Sequence, residues 1–575
     1  MIKLSSSIYA ILLMISVHIS AFADTFVVTS QTEFNTAQSG AVAGDIIEWQ
    51  SGTYSNIVMN VTKDGLIIRA QVAGDVIFNG SSRMSITADD SVISGFQFVG
   101  GNIGSSNVIS IEAEDVDFTD INIADYTCFK YLIVDENSRN VDISYCNFEN
   151  RVNYEDQNIL SILVDDTEPG YHTIRYCSFK NFTDDDGMDI GDAGVEPIRI
   201  GVSSQRTFIS RSIVEYCYFT QCNGDGEIIS NKARQNVYRY NTFDNNPNAE
   251  LVLRHGSENT VYGNFFLNGL GGIRIREGKD HFIFNNYFSG LTSRSIYLND
   301  NDGDSTDDRL DRITIAYNTF IDTEEVRLDA SGTMPTTNIT LANNIFTQPM
   351  DDHFRDATGT ETWIGNIAFG SLGIVTPASG ITVVDPKVEI NSEGFYGLAS
   401  DSPAIDAAQT GYTAIASYTG LDIDDDILFD LMKEARPAAI TSKDIGSVEF
   451  PHTAIIQPIA TASNTGPSYF NPLLSVDTPV NVSTPSMYMG VFPNPNTDNI
   501  NVIIKNDQAV WLELILFDST GRKIKTLTDA SLAPGENTIQ ENVSKIPSGI
   551  YLIQANTREL ASDKQETQTM RFIKK

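Results

Sequence analysis

The chain has 575 residues, of which 41% are hydrophobic and 10% aromatic, so it is globular rather than disordered and too long for one ordinary domain. Its formal net charge of −37 argues against a nucleic-acid partner. The acidic excess does not reach every part of the chain, because residues 228–282 hold seven Lys and Arg against five Asp and Glu. A polyanionic ligand is therefore acceptable in that stretch and repelled elsewhere.

Residues 1–23 have the pattern of a secretory signal peptide. Lys3 supplies the positive charge, residues 8–17 the apolar core, and Ala21-Phe22-Ala23 a small-x-small cleavage motif. The apolar core is too short for a membrane span, and no later segment has the pattern of a transmembrane helix. We expect the mature chain to be secreted or attached to the outer surface of the cell.

Residues 24–450 contain a repeat that ends in phenylalanine. Its copies begin as Tyr-Cys-x-Phe and continue with Asn in place of Cys, and successive phenylalanines are 31, 40, 24, 23, 22, 32 and 26 residues apart. A core period of 22 to 24, lengthened where loops are inserted, predicts an all-β fold, a right-handed parallel β-helix. The repeated phenylalanines are Phe148, Phe179, Phe219, Phe243, Phe266, Phe288, Phe320 and Phe346.

The cysteines follow the same repeat. Cys146, Cys177 and Cys217 occupy one position in successive copies, and the chain has an odd number of cysteines, five. This pattern predicts a buried ladder of small side chains rather than disulfides.

Three segments of the repeat end in charged residues. They are Glu227–Lys232, Glu250–His255 and Gly272–Glu277. Aligning their first residues sends Ile228 and Leu251 inward by strand alternation. Lys232 then lies one residue past the register, so we expect a bend at the strand end to aim it towards Arg254.

A lysine and an arginine on one outer face suit β-elimination at a uronic acid. The reaction needs a base for the C5 proton and a cation or acid that neutralises the neighbouring carboxylate. Lysine is a poor base at its ordinary pKa of about 10.4, and neighbouring cations lower that pKa. The residues predicted to extend this basic surface and bind the substrate are Arg234, His255, Arg274, Arg276 and His281.

Six motifs in this part of the chain resemble polysaccharide lyase family 6, which contains alginate lyases and chondroitinase B enzymes. They are Gly226-Glu-Ile-Ile-Ser-Asn-Lys232, Asn241-Thr-Phe243, Leu253-Arg-His-Gly256, Val261-Tyr-Gly-Asn264, Gly271-Gly-Ile-Arg-Ile275 and His281-Phe-Ile-Phe-Asn-Asn-Tyr-Phe288. The resemblance spans residues 25–450. It implies that Lys232 is the Brønsted base and Arg254 the proton donor or charge stabiliser.

The resemblance also implies a calcium ion held by an asparagine and two glutamates. Glu227 fits the second glutamate, but Asp225 stands in place of the first, and the asparagine position falls on Ala193 with Asp192 beside it. Calcium favours several oxygen ligands, so these departures weaken the predicted site. Calcium held by Asp192, Asp225 and Glu227 remains one alternative, and water with Arg or His in place of the metal remains the other.

The composition changes after Phe450. Residues 451–489, rich in Pro, Ser and Thr, are predicted to form an extended linker. Residues 490–575 are predicted to form a small β-sandwich that resembles the C-terminal sorting domain of the type IX secretion system, which would make that machinery a partner. A β-sandwich used for binding is the alternative.

These observations favour an exported lyase that cleaves alginate into unsaturated oligosaccharides. A chondroitin or dermatan sulfate lyase of the same family is an alternative. A β-helix glycoside hydrolase is another, with paired carboxylates from the acidic run 184–192. A surface protein that binds polyanions without catalysis is a third.

Overall fold

A computed structural model describes residues 23–575, except for 152–156, 184–193, 300–308, 329–334, 392, 419, 422, 424–427, 453–458, 471–486, 493–498, 507, 519–522, 547–548, 560–564 and 575. The predicted signal peptide lies almost wholly outside the described residues. The chain divides into two compact units, residues 1–475 and 476–575. None of the described helices is long and apolar enough to cross a membrane.

The first unit is a parallel β-helix, as predicted, in which three parallel sheets run the length of the solenoid. Sheet 1 contains Thr25–Val28, Ile46–Trp49, Ile67–Ala70, Val92–Ser94, Asp117–Thr119, Asp142–Ser144, Thr173–Arg175, Ile213–Glu215, Val237–Arg239, Thr260–Tyr262, Phe282–Phe284, Thr314–Ala316, Thr340–Ala342 and Thr362–Ile364. Sheet 2 contains Val58–Val61, Arg83–Ile86, Asn107–Ile111, Lys130–Val134, Leu160–Ile162, Ile198–Ile200, Glu227–Asn231, Glu250–Leu253, Gly271–Ile275, Arg294–Leu298, Val326–Arg327 and Phe354–Arg355. Sheet 3 contains Gly52–Ser55, Val76–Gly80, Phe96–Gly101, Asn122–Ala124, Asn147–Glu149, Ser178–Phe182, Tyr218–Cys222, Thr242–Asp244, Phe265–Leu267, Tyr287–Leu291, Thr319–Thr323, Ile345–Thr347, Asn366–Phe369 and Ile381–Val383.

The repeat produces the ladders that its spacing predicts. The eight phenylalanines stack in one column with ring centroids 4.6–5.0 Å apart. From Asn241 to Asn366, each asparagine amide donates to the amide oxygen of its counterpart in the next coil at 2.9–3.0 Å. The five cysteines are free and buried, which confirms the interpretation as packing. Each ladder satisfies polar groups and fills the core at every coil, so stacking stabilises coils that cannot bury their apolar faces alone.

Tight turns between the sheets keep the coils short. Tyr176, Tyr216 and Tyr240 adopt left-handed φ values of 53°, 54° and 55°, which is uncommon for a bulky residue. Their rings stack at 4.9 and 5.2 Å on the outside of the turn, and this stacking helps to hold the conformation.

Few elements lie outside the three sheets. The α-helix Gln31–Gly40 covers the N-terminal coil and is capped by Ser30, whose side chain accepts from the Glu33 amide. Among the described residues, the first unit also contains three short 3-10 helices (Ser203–Gln205, Ile440–Ser442, Ser468–Phe470) and the antiparallel pair Val388–Ile390 and Tyr396–Leu398.

Part of the predicted linker packs on the solenoid. Within residues 459–470, the Ser468 amide and hydroxyl donate to the Asp120 carboxylate at 2.5 and 3.0 Å. The Tyr469 hydroxyl donates to the Phe96 carbonyl at 3.2 Å. This segment therefore belongs to the solenoid unit, and the other predicted domain boundaries stay predictions.

The second unit contains two antiparallel sheets, consistent with the predicted small β domain. One sheet pairs Met487–Phe492, Asn499–Asn506 and Gly535–Asn542, and the other pairs Lys523–Leu532, Val510–Asp518, Gly549–Glu559 and Gln565–Lys574. Its apolar core includes Val502, Leu514 and Ile553.

Candidate active site

The outer face of sheet 2 brings the charged strand ends together. Neighbouring strands lie about 5 Å apart, so residues paired in register become side-chain neighbours. Ser230 pairs with Val252, and Val252 pairs with Arg274. Asn231 pairs with Leu253, which makes the next two residues, Lys232 and Arg254, neighbours.

The register differs from the predicted one at a single place. A bulge between Glu227 and Ile229 makes Ile229, not Ile228, the partner of Leu251. The predicted bend at the end of the strand is therefore wrong, because the extra residue is absorbed at its beginning. Lys232 then reaches the outer face by ordinary strand alternation.

Asn231 holds the strand end beneath Lys232. It is fully buried, and its amide oxygen accepts from Asn236 at 2.9 Å and from the Tyr238 hydroxyl at 2.7 Å. Its amide nitrogen donates to the His255 carbonyl at 2.9 Å. These bonds tie the Lys232 strand to the Arg254 strand, so both catalytic candidates have a rigid backbone.

Lys232 is partly buried, and among the described residues its ammonium has no hydrogen bond or ion pair. Burial lowers its pKa from the ordinary value of 10.5, and the nearby Arg254 and Arg199 lower it further, against the opposing effect of Glu196 and Glu227. A partly desolvated lysine beside arginines has the character of a general base.

Arg254 is positioned by a carboxylate. Its guanidinium nitrogen lies 2.7 Å from the Glu227 carboxylate, which is 3% exposed, and Arg274 lies 4.0 Å from the same oxygen. Because Arg254 is itself 37% exposed, the ion pair orients it while leaving part of it open to a ligand.

Glu196, Asp225 and Glu227 form a carboxylate cluster, in which one oxygen from each lies within 4.8 Å of the others. Burial and the charges of Glu196 and Glu227 raise the pKa of Asp225 to about 7, and burial and Glu227 raise the pKa of Glu196. Asp192, the third predicted ligand, lies outside the described residues.

Glu196 is the residue that the sequence interpretation missed. The strand Ile198–Ile200 pairs with Ile229–Asn231, and Ile198 is the partner of Ile229. Glu196 and Glu227 each precede these partners by two residues, so Glu196 lies beside Glu227. Counting from the Ile-Arg-Ile strand, rather than from a family asparagine position, would have identified it.

Comparisons with known proteins show the family to which the chain belongs. The family model for chondroitinase B matches residues 28–350, more than half of the chain. The chain belongs to the chondroitinase B family, polysaccharide lyase family 6. The model for a secretion system C-terminal sorting domain matches residues 490–573, which indicates export through type IX secretion to the cell surface or beyond. No curated protein matches the chain.

Solved structures of the family share the fold. The PL6 family alginate lyase AlyGC is 20% identical, with a TM-score of 0.57 over 68% of this chain and 59% of its own. A mannuronic acid specific family 6 lyase from human gut microbiota is 22% identical, with a TM-score of 0.54 over 63% and 91%. A PL6 alginate lyase in complex with a trisaccharide is 20% identical, with a TM-score of 0.53 over 66% and 92%. The chain thus spans about three fifths of the first of these proteins.

The other residues predicted to bind substrate divide into two groups. Arg274 and Arg276 lie on or beside the outer face, and burial with Arg254 and Arg274 lowers the pKa of Arg276. His255 is half-buried and contacts Glu277, with 2.6 Å between its Nδ1 and the carboxylate.

Arg234 and His281 occupy turns after the strands. Arg234 pairs with Glu258 at 2.5 Å. His281 is fully buried, burial lowers its pKa to about 4, and its Nδ1 accepts from the Asn259 amide at 3.2 Å. The contacts of these two residues support the turns, so they do not favour the predicted role in substrate binding.

Several buried polar atoms on this face have no hydrogen-bond partner among the described residues. They include Glu227 Oε2, Ser230 Oγ, Arg199 Nε and Arg274 Nε. Buried polar groups are ordinarily paired, so a local group of unpaired ones indicates a polar ligand.

The carboxylate cluster fits the calcium ion found in many family members. All three residues supply oxygen ligands, which calcium prefers, and Glu227 Oε2 is buried without a hydrogen-bond partner in the described part of the chain. Glu196 would supply a third carboxylate in place of the amide ligand that the resemblance implies.

Proposed function

We propose that this lyase cleaves alginate by β-elimination at uronate residues and releases unsaturated oligosaccharides. The observation that carries the proposal is the Lys232–Arg254 pair, in which an ammonium without a partner in the described chain stands beside an oriented guanidinium on adjacent strands.

Lys232 is the base of the proposed reaction. Its neutral amine takes the proton from C5 of the uronate, the C5 electrons form the C4–C5 double bond, and the bond from C4 to the leaving oxygen breaks. Burial supports this role because it favours the neutral amine.

Arg254 stabilises the negative charge that develops in this step. It stays protonated throughout and donates to the sugar, while Glu227 holds its guanidinium in place. The leaving oxygen acquires its proton from a donor at the site, and water or the protonated Lys232 can supply it.

Elimination also requires that the substrate carboxylate be neutralised. Glu196, Asp225 and Glu227 would hold a divalent cation, which supplies positive charge to that carboxylate when bound. Arg274 adds a guanidinium on the same face, 4.0 Å from Glu227.

Alginate is the preferred substrate because the structural neighbours described above are alginate lyases or a mannuronic acid specific lyase by name. Chondroitin or dermatan sulfate is the second candidate, favoured by the family model that matches. A hydrolase leaves the Lys232–Arg254 pair without a role, and its carboxylates at 184–192 lie outside the described residues.

Incubation of the purified protein with alginate, chondroitin sulfates, dermatan sulfate and pectate separates these possibilities. We expect ultraviolet absorbance of the unsaturated product to rise with alginate. A rise only with a sulfated polymer would replace alginate by the second candidate. New reducing ends without absorbance would indicate a hydrolase, and binding without either signal would indicate a surface protein that holds polyanions.

We propose further that the protein enters the periplasm by the signal peptide and that the type IX machinery then exports it. Detection of the solenoid in culture medium or on intact cells, and its retention inside cells after deletion of residues 490–575, would support this route. Unchanged export of the truncated chain would contradict it.

A further inference from the structure

Lys130 is a buried cation on sheet 2 that the proposed mechanism does not use. It is 3% exposed, and its ammonium donates to the side-chain oxygens of Asn158 and, at 3.2 Å, Gln157. Among the described residues no carboxylate lies within ion-pair distance of it. A buried charge is costly without a counterion. Glu196 raises the pKa of Lys130 from beyond ion-pair distance, so the ammonium lacks a direct counterion among the described residues.

Lys130 stands in the same column as the carboxylate cluster. The strands that begin near Leu132, Leu160, Ile198 and Ile229 pair in succession. The residue two positions before each of these partners forms a second row of neighbours across the sheet. This row is Lys130, Asn158, Glu196 and Glu227. Lys130 therefore lies on the N-terminal side of the Lys232–Arg254 pair, along the axis of the solenoid.

The strand of Arg199 lies between the strands of Lys130 and Lys232. Arg199 is the charged group that most lowers the pKa of Lys130, which falls to about 7 mainly through burial, and it also lowers the pKa of Lys232. Within the described chain its guanidinium makes no hydrogen bond or ion pair, and its Nε is buried.

The residues next to Arg199 across sheet 2 are short and polar. Its partners in register are Ser161 on one side and Ser230 on the other, both small residues. The Ser230 hydroxyl is also buried without a hydrogen-bond partner among the described residues. An anion beside Arg199 would satisfy the guanidinium and accept from this hydroxyl.

Four arginines on the C-terminal side of the pair each lie within 4.0 Å of a carboxylate. Arg274 and Arg294 lie 3.9 and 2.8 Å from Glu250. Arg327 and Arg355 lie 3.4 and 3.5 Å from Glu325. Lys130 and Arg199, on the N-terminal side, have no carboxylate at this distance among the described residues.

We propose that Lys130 and Arg199 form a subsite for the carboxylate of a neighbouring uronate, so that the bound chain extends from Lys232 towards the N-terminal coils. This inference rests on the proposed function, since it assigns a role to the N-terminal side of the same face of sheet 2. Lys130 and Arg199 are substrate-binding residues here, and the proton transfer stays with Lys232.

The test compares Lys130→Met and Arg199→Met with the wild-type enzyme on uronate oligomers of increasing length. We expect KM for long oligomers to rise about tenfold or more, the effect of losing a hydrogen bond to a charged group, while kcat measured above the midpoint of its pH profile changes little. For oligomers too short to reach the subsite, the variants and the wild type should have the same KM. Equal KM ratios at every length would overturn the subsite.

Arg355→Met is the matched control, since it removes the same charge from the opposite flank and should leave every KM unchanged. If Lys130 and Arg199 hold one carboxylate, the double variant should lose less affinity than the product of the single losses. A full product of the losses would show that the two residues do not share an anion.

Thermal unfolding separates binding from a structural role. Removing a buried cation that lacks a counterion should leave the melting temperature of Lys130→Met unchanged or raise it. A lower melting temperature with unchanged KM would assign Lys130 to the fold and overturn the proposal. Arg199→Met has no internal partner in the described residues to lose, so it reports on the subsite even if Lys130→Met folds poorly.

Measuring oligomer binding to a catalytically inactive variant distinguishes failure of the subsite from failure of the proposed function. In Lys232→Ala, a defined uronate hexamer should bind less tightly when Lys130 is also replaced by Met. If the wild type releases no unsaturated product from any uronate polymer, the proposed function fails. If the wild type is active and the hexamer affinity is unchanged by Lys130→Met, the subsite alone fails.

Discussion

The two sides of the Lys232–Arg254 pair on sheet 2, the N-terminal and C-terminal flanks, differ in whether their cations are paired with carboxylates. On the C-terminal flank, Arg294 makes a bidentate contact with Glu250 at 2.8 and 2.9 Å, and Glu250 is 1% exposed. On the N-terminal flank, Lys130 and Arg199 have no carboxylate at ion-pair distance among the described residues. A cation paired with a carboxylate stabilises the solenoid, whereas an unpaired cation is available to a ligand. Counting Lys and Arg along this face of sheet 2 therefore does not locate its binding sites.

Lys232→Ala should have the largest effect, because it removes the base at the point where the two flanks meet. We expect kcat to fall about 10³-fold, in the range for loss of a general base, while oligomer binding stays measurable. Rates of unsaturated product formation and direct titration give the two values. The exposed Lys63→Ala serves as the control, and activity retained by Lys232→Ala would remove Lys232 as the base.

Arg294→Met tests whether the C-terminal flank is structural. Replacing Arg294 leaves the buried Glu250 with only the more distant Arg274, and breaking such a pair costs about 3 kcal/mol in the free energy of unfolding. Arg199→Met should change that free energy by less than about 0.5 kcal/mol. Denaturant unfolding followed by tryptophan fluorescence measures both, and equal destabilisation of the two variants would abolish the distinction between the flanks.

Glu196→Gln tests the carboxylate cluster that separates the flanks. Losing one of three charged ligands should weaken calcium binding about tenfold, because ligand charge sets the affinity of such sites. Isothermal titration of calcium gives the affinity without reference to activity. Glu325→Gln on the C-terminal flank should leave it unchanged, and equal affinities of the wild type and Glu196→Gln would exclude Glu196 as a ligand.

The pH dependence of kcat should show how burial and the neighbouring arginines lower the pKa of Lys232, and this is the smallest of the expected effects. Burial lowers the pKa of Lys232 below 10.5, and the neutral amine is the active form, so kcat should rise with pH to a midpoint below 10.5. Arg199→Met removes a cation that lowers this pKa, so its midpoint should move upward. A midpoint at or above the ordinary lysine value in the wild type would contradict the assignment.

The sequence predicts the solenoid well because its signal is local and repeated. The spacing of Phe243, Phe266 and Phe288 is the length of a coil, and each of these rings stacks on the next. The same spacing brings Lys232 and Arg254 to neighbouring strands. The predicted adjacency of the two residues is confirmed, because one short, uninterrupted coil separates them.

The sequence is less informative where the coil lengths vary. Glu196 lies 31 residues before Glu227, and Lys130 is separated from Glu196 by two longer coils, so no fixed period aligns them. The bulge at Glu227 also shifts the register by one residue, and alternation cannot reveal it because Ile228 and Ile229 are both apolar and buried.

Composition and repeat by themselves determine a parallel β-helix with a basic strand end at Lys232 and Arg254, because periodic burial and alternation depend on near neighbours in sequence. Tertiary structure alone decides that Glu196 completes the carboxylate cluster and that Arg294 rather than Arg199 is neutralised. Those outcomes depend on which coils become adjacent and where a strand bulges, and both are set by loop lengths and packing across coils.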